Sequence, residues 1–303
     1  MRITDRQALR LAAAASVAAL TATGCHVEQH AAPPAASSSS VARLALADSV
    51  HRSAAPYHAQ AGVVAVDLSS GETETADADE RFSILSTFKT YAVAAILART
   101  VTQPHLLDET ESVAADDIVT NSPVLQGRVG DLVSVRELCQ AALQRSDNTA
   151  GNLLLRRLGG PAAITALARR LGDTATRLDR WEPDLNESAP GDPRDTTTAR
   201  GLATGYRAIL DGDFLPQAQR DTLVQWMRGT QTSQTRFRAQ LPRGWSTADK
   251  TGGGYYQTTN DAGILFGPAG QRILLVVLTR GQQKDGPYLG DLVASIAAVV
   301  ARR

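Results

Sequence analysis

Two cysteines in 303 residues cannot build a disulfide framework. Five scattered histidines offer no ligand spacing for zinc, so neither a metal nor another cofactor is expected. Excess positive charge is missing as well: 31 Lys+Arg balance 31 Asp+Glu without a basic block, which argues against nucleic acid as a partner. There is no internal repeat. What is present is ordinary for a globular protein, 43% hydrophobic and 20% charged, and neither disordered, fibrous nor polytopic in the membrane. The length suits one large domain or two intimate ones with a substantial core.

Residues 1–24 read as an export signal. Arg2, Arg6 and Arg10 precede the apolar run Leu11–Leu20, and small residues follow. That run is shorter than the roughly 20 residues of a bilayer-spanning helix. Cys25 after Ala22-Thr23-Gly24 also fits a lipoprotein signal, in which the cysteine carries the lipid anchor; a plain secretory signal is the alternative. Paired arginines are absent, so a twin-arginine route has little support. The expected location is periplasmic or extracellular. Residues 25–44, with AAPPAASSSS at their centre, are expected to be a flexible tether. The neutral total conceals an acidic remainder of −2 once the leader is set aside.

From residue 45 onward the pattern is mixed. Val41–Ala55, Ser86–Arg99, Val135–Gln144, Asn148–Leu158, Pro161–Leu171 and Val293–Ala301 read as helices. Ala61–Gly71 is a β-branched strand closed by a turn, and Asp261–Phe266 with Arg272–Thr279 form a second antiparallel pair. Arg180–Thr197 has three prolines and no period, so it is a long loop of the kind that usually carries function. Strands at both ends around a helical middle imply an α+β fold. An antiparallel sheet flanked by helices would carry an inserted all-α subdomain, at about residues 82–225, with the site between the lobes.

Three short motifs carry chemistry. In Ser86-Thr87-Phe88-Lys89, a serine and a lysine three apart share a helix face, so the amine can reach the hydroxyl. Ser146-Asp147-Asn148 sits in a break between helices, as a helix cap or as a proton relay with a substrate contact. Lys250-Thr251-Gly252, followed by Gly253, is a glycine-rich strand edge that a ligand backbone could approach, or a hairpin with a surface lysine.

Together these motifs resemble the set of the class A serine β-lactamases and penicillin-binding proteins. The resemblance runs from about residue 45 to the C-terminus. It implies Ser86 as nucleophile, Lys89 and Ser146 in proton transfer, and Asn148, Lys250, Thr251, Gly252 and Gly253 as substrate contacts. The backbone N–H groups of Ser86 and Gly253 would form the oxyanion hole. Arg180-Trp181-Glu182-Pro183-Asp184-Leu185-Asn186 resembles the loop that supplies the deacylating glutamate, here Glu182 with Asn186 beside it. That loop separates hydrolysis of penicillins and cephalosporins from the stalled acylation of a peptidase. Arg180 and Asp195 would close its neck. Arg236 resembles the arginine that grips the substrate carboxylate in some members, with Arg238 and Arg280 as competitors. Whether Lys89 or Glu182 activates Ser86 stays open. Asn121 replaces an aromatic wall residue, and Leu85 and Gly254 replace the cysteine pair of one carbapenem-hydrolysing group. Cys139 is expected to be a buried free thiol, Trp226, Trp245 and Met227 to be core, and the enzyme to be a monomer.

Overall fold

The computed structural model describes residues 38–303. The signal sequence 1–24, Cys25 and the first part of the tether lie outside the described residues. Helix α1 spans Ser38–Ala54, so the stretch 38–44 assigned to the tether is already helical. Strand β1 (Gln60–Asp67) turns at Asp67, whose Oδ1 accepts from Ser69 N and Ser70 N at 2.7 and 3.0 Å. Gly71, at φ +79°, completes this turn into β2 (Thr73–Ala76), and β3 (Arg81–Ser83) follows. The helical middle comprises α2 (Phe88–Arg99), α3 (Val135–Gln144), α4 (Asn148–Leu158) and α5 (Ala162–Arg170), then α6 (Ala199–Leu210) and α7 (Gln217–Arg228). Two ribbons stitch its loops: β4 (Thr110–Ser112) with β5 (Leu132–Ser134), and β3 with β6 (Thr196–Thr198). The chain closes with α8 (Phe237–Gln240), β7 (Ser246–Gly253), β8 (Thr259–Phe266), β9 (Arg272–Arg280) and α9 (Gly290–Ala301).

The main sheet has the order β2-β1-β9-β8-β7, every pair antiparallel. Side chains alternate between its faces at period two. Val63, Ala65, Leu275 and Val277 meet α1, α8 and α9 through Leu46, Val50, Phe237, Val293 and Ile296. Val64, Val66, Leu274 and Val276 face the other way, onto Phe88, Tyr91 and the helical middle. Two cores thus share one sheet, and each buried Leu or Val contributes about 1.5–3 kcal/mol. Trp226, Met227 and Cys139 are buried as expected, while Trp245 is only partly so and packs at the edge of the terminal-helix core. Helices α6 and α7 were not legible beforehand. Among the described residues no helix is long and apolar enough to cross a membrane.

Candidate active site

The motif residues come from separate elements. Ser86 sits in a 3-10 turn, Leu85–Thr87, that runs into α2, so it precedes the helix rather than opening it. Leu85 before it is held at φ +52°, an uncommon region for a residue with a Cβ, and the turn lifts Ser86 toward the end of β7. A Cβ on Gly252 would approach Leu85 Cβ to 2.8 Å and Ser86 N to 3.4 Å, so only glycine lets the strand run this close. Gly254 is similarly pressed against Leu85 Cδ2.

Lys89, on the first turn of α2, is fully buried. Its Nζ lies 3.0 Å from Ser86 Oγ, 2.8 Å from Ser146 O, 2.8 Å from Asn148 Oδ1 and 2.9 Å from Glu182 Oε1. Burial pushes its pKa below the ordinary lysine value, and the Glu182 carboxylate opposes that fall. The alkyl chain of Lys89 passes over Gly151, where a Cβ would come within 2.8 Å of Cε.

Ser146 occupies the left-handed region at φ +55°, and Asp147 caps α4 by accepting from Ala150 N at 2.8 Å. The capping reading of that motif therefore holds, carried by Asp147. The other oxygen of Asp147 accepts from Val124 N and Leu125 N, which ties the entrance loop to the cap. Asn148 Nδ2 donates to Thr120 O, and Asn148 N donates to Asn121 O. Asn121 is exposed at the cleft mouth with φ +62°, a conformation asparagine tolerates better than an aromatic residue.

Lys250, also fully buried, donates to Ser146 Oγ at 3.0 Å and to Thr251 O at 2.8 Å. Desolvation drives its pKa well below the usual range, and the charges of Lys89 and Arg236 add to the effect. Thr251 Oγ1 is hydrogen-bonded to Thr232 Oγ1 at 2.6 Å.

Glu182 lies opposite this row. Its Oε1 accepts from Ser86 Oγ at 3.2 Å, and its Oε2 accepts from Asn186 Nδ2. Asn152, one turn beyond Asn148 on α4, fixes the loop backbone: Nδ2 donates to Glu182 O at 2.9 Å, and Oδ1 accepts from Glu182 N at 3.0 Å. Asn186 Oδ1 is buried without a hydrogen-bond partner among the described residues. The loop neck is closed by Arg180 Nε donating to Asp195 Oδ2 at 2.6 Å, while Asp195 Oδ1 accepts from Asp179 N and Arg180 N.

Of the three candidate arginines, only Arg236 lines the cleft. Its Nη1 donates to Gly252 O and Asn260 O at 2.7 and 2.8 Å, which locks the guanidinium beside β7. Arg238 is spent on Thr247, Thr230 O and Asp249, and Arg280 on Gln60 and Arg81 O. Two buried carboxylates hold the Arg236 segment from below. Asp261 Oδ2 accepts from Ser233 Oγ and Phe237 N, and Asp249 Oδ1 accepts from Arg238. Sequence reasoning missed Asn152, Asp249 and Asp261; for Asn152 the cue was its i+4 spacing from Asn148 on one helix.

Ser86, Ser146, Asn148, Asn186, Arg236, Thr251, Gly252 and Gly253 line one cleft of about 640 Å³, with Lys89, Lys250 and Glu182 buried around its floor. A hydroxyl between a buried amine and a buried carboxylate, faced by a second hydroxyl on a second amine, defines a serine acyl-transfer hydrolase. The profile of the β-lactamase enzyme family matches residues 45–303. The chain is 41% identical to β-lactamase AST-1 of Nocardia asteroides over 99% of this chain and 96% of that protein. It is 44% identical to a β-lactamase of Streptomyces fradiae over 81% of each. The crystal structure of a β-lactamase from Desulfarculus baarsii superposes with a TM-score of 0.83 at 39% identity, covering 86% of this chain and 97% of that one. The chain belongs to the β-lactamase family, as a serine enzyme of the class A type.

Proposed function

We propose that the cleft opens the β-lactam ring of penicillins and cephalosporins in two steps, and that the residues divide the work as follows. Ser86 Oγ attacks the lactam carbonyl. Its proton passes to Lys89 or Glu182, both within reach of Oγ at 3.0 and 3.2 Å. The lactam nitrogen takes its proton from Ser146, whose Oγ accepts from Lys250 and so keeps its own hydrogen free to give. Backbone N–H groups of Ser86 and Gly253 hold the developing oxyanion, each such donor contributing about 3–4 kcal/mol. The substrate carboxylate is gripped by Arg236, Thr251 and Lys250, and Asn148 contacts the substrate side chain.

Deacylation rests on Glu182. The observation that carries this reading is the pairing of the Glu182 carboxylate with the partnerless Asn186 Oδ1 beside it. A water donating to both would be aimed at the Ser86 ester and activated by the carboxylate. Export fits the same activity, because the cell-wall targets of these antibiotics lie outside the cytoplasm. The basic-apolar-small layout of residues 1–24 supports it, and Cys25 supports a lipid anchor.

A chromogenic cephalosporin tests the reading. Wild-type protein should turn it over continuously, whereas a single stoichiometric burst would indicate a peptidase-like acylation. Glu182→Ala should acylate and stall, with kcat down by about 10²–10⁴-fold and an adduct on Ser86 visible by intact-mass spectrometry. Full turnover by that variant would remove Glu182 from deacylation.

A further inference from the structure

Lysine is scarce in this chain, three residues against 28 arginines. Lys89 and Lys250 are buried in the floor of the cleft. The third, Lys284, lines the rim of the same cleft and is exposed. Its Nζ lies 5.4 Å from the centroid of the Tyr255 ring, and it makes no ion pair among the described residues. The platform is built rather than incidental. Tyr256 N donates to Lys284 O at 2.8 Å and Gly281 N to Tyr256 O at 2.8 Å, stitching the segment 281–288 to the turn after β7. Tyr255 N donates to Asn186 O at 3.1 Å, so its backbone abuts the loop that carries Glu182. Thr251 lies on β7, while Arg236 precedes α8, bonds to Gly252 O and sits 5.7 Å from the centroid of the Tyr288 ring, four residues beyond Lys284.

We propose that Lys284 and Tyr255 form a subsite for an anionic substituent, a carboxylate, on the acyl side chain of the substrate. The proposal rests on the reading of the cleft as a β-lactam site. A penicillin carries its ring carboxylate and its acyl side chain on opposite sides of the lactam. With the first carboxylate on Arg236, the side chain runs toward the Asn186–Tyr255 wall. A second carboxylate there meets an ammonium that has no competing partner and that the aromatic face holds in place. Asp285, the neighbouring residue, lines the same cleft and opposes this recognition by like charge. The selectivity of the rim is therefore set by the balance of Lys284 against Asp285.

Benzylpenicillin and its α-carboxy derivative, carbenicillin, form a matched pair that differs by one carboxylate. The readout is the ratio of their kcat/KM values. Lys284→Gln should lower the carbenicillin-to-benzylpenicillin ratio about threefold to fivefold, through KM. Lys284→Arg should restore it, Asp285→Asn should raise it about twofold to threefold, and high salt should flatten these differences. An unchanged ratio in both Lys284→Gln and Asp285→Asn overturns the subsite, as does an equal loss for both substrates. Failure of the wild-type protein to hydrolyse benzylpenicillin overturns the reading of the cleft itself, and the subsite with it.

Discussion

The floor and the rim of the cleft are built on opposite principles. On the floor, Lys89, Lys250 and Glu182 are buried: Lys89 and Glu182 pair with each other and with Ser86 and Asn148, and Lys250 is held by Ser146 and Thr251 O. On the rim, Lys284, Tyr255, Tyr288 and Asn121 are exposed and carry little of the fold. Electrostatics scale accordingly, since a charge in low dielectric acts with several times the energy of one in water. A floor residue therefore sets whether chemistry occurs, and a rim residue sets which side chain is favoured.

Lys89→Met would break this contrast most severely. It removes the amine beside Ser86 Oγ and leaves Glu182 without its paired cation. A loss of about 10³-fold in kcat is expected, together with about 3–5 kcal/mol of stability from the orphaned buried charge. Kinetics and urea melts read the two separately. A melt at the wild-type midpoint would mean that the Lys89–Glu182 pair contributes nothing net to stability.

Arg236→Ala should come next. The guanidinium is locked by two carbonyls whether or not substrate is present, so the variant loses binding more than chemistry. KM should rise about 10–100-fold with a smaller change in kcat. A purely kcat effect would move Arg236 out of carboxylate binding.

The smallest effect concerns the supports beneath Arg236. Asp249 Oδ2 and Asp261 Oδ1 both lack hydrogen-bond partners among the described residues. Burial, and then the neighbouring Asp249 charge, push Asp261 well above its ordinary value of 3.8. Between that value and the raised one, the folded chain keeps a proton that the unfolded chain has released. Stability carried by this group is thus complete at low pH and declines as pH rises through the folded value. Asp261→Asn can keep the bonds from Ser233 and Phe237 while donating to Asp249. Its advantage over wild type should be negligible near pH 4 and grow to about 1–2 kcal/mol toward pH 8. Parallel stability profiles would exclude the titration.

Much of the floor was legible beforehand because its chemistry needs particular residue types at short spacing. Ser86 with Lys89, Ser146 with Asn148, and Glu182 with Asn186 are each separated by three or four residues or fewer. Other parts were not, for reasons of distance. Asn152 anchors the backbone of Glu182 from 30 residues away, and the Asp249–Asp261 support depends on strand register. The rim was the least legible, because an exposed lysine or tyrosine reads as ordinary surface until the fold places it beside the site. Helix α6 escaped notice although Leu202, Tyr206, Ile209 and Leu210 form a buried apolar stripe, because Gly201 and Gly205, the latter against Tyr91, interrupt that face with poor helix formers.

By itself the sequence determined the family, the motifs that meet in the cleft and most of the alternation of helix and strand, since local spacing and periodicity encode these. Only the tertiary structure decided which arginine faces the cleft, what holds Glu182 in place, and that the chain's third lysine stands at the mouth of the pocket. Those outcomes depend on contacts between residues 16 to more than 100 positions apart, such as Arg236 with Gly252, Asn152 with Glu182 and Lys250 with Ser146. They are set by burial and strand register, which no local pattern records.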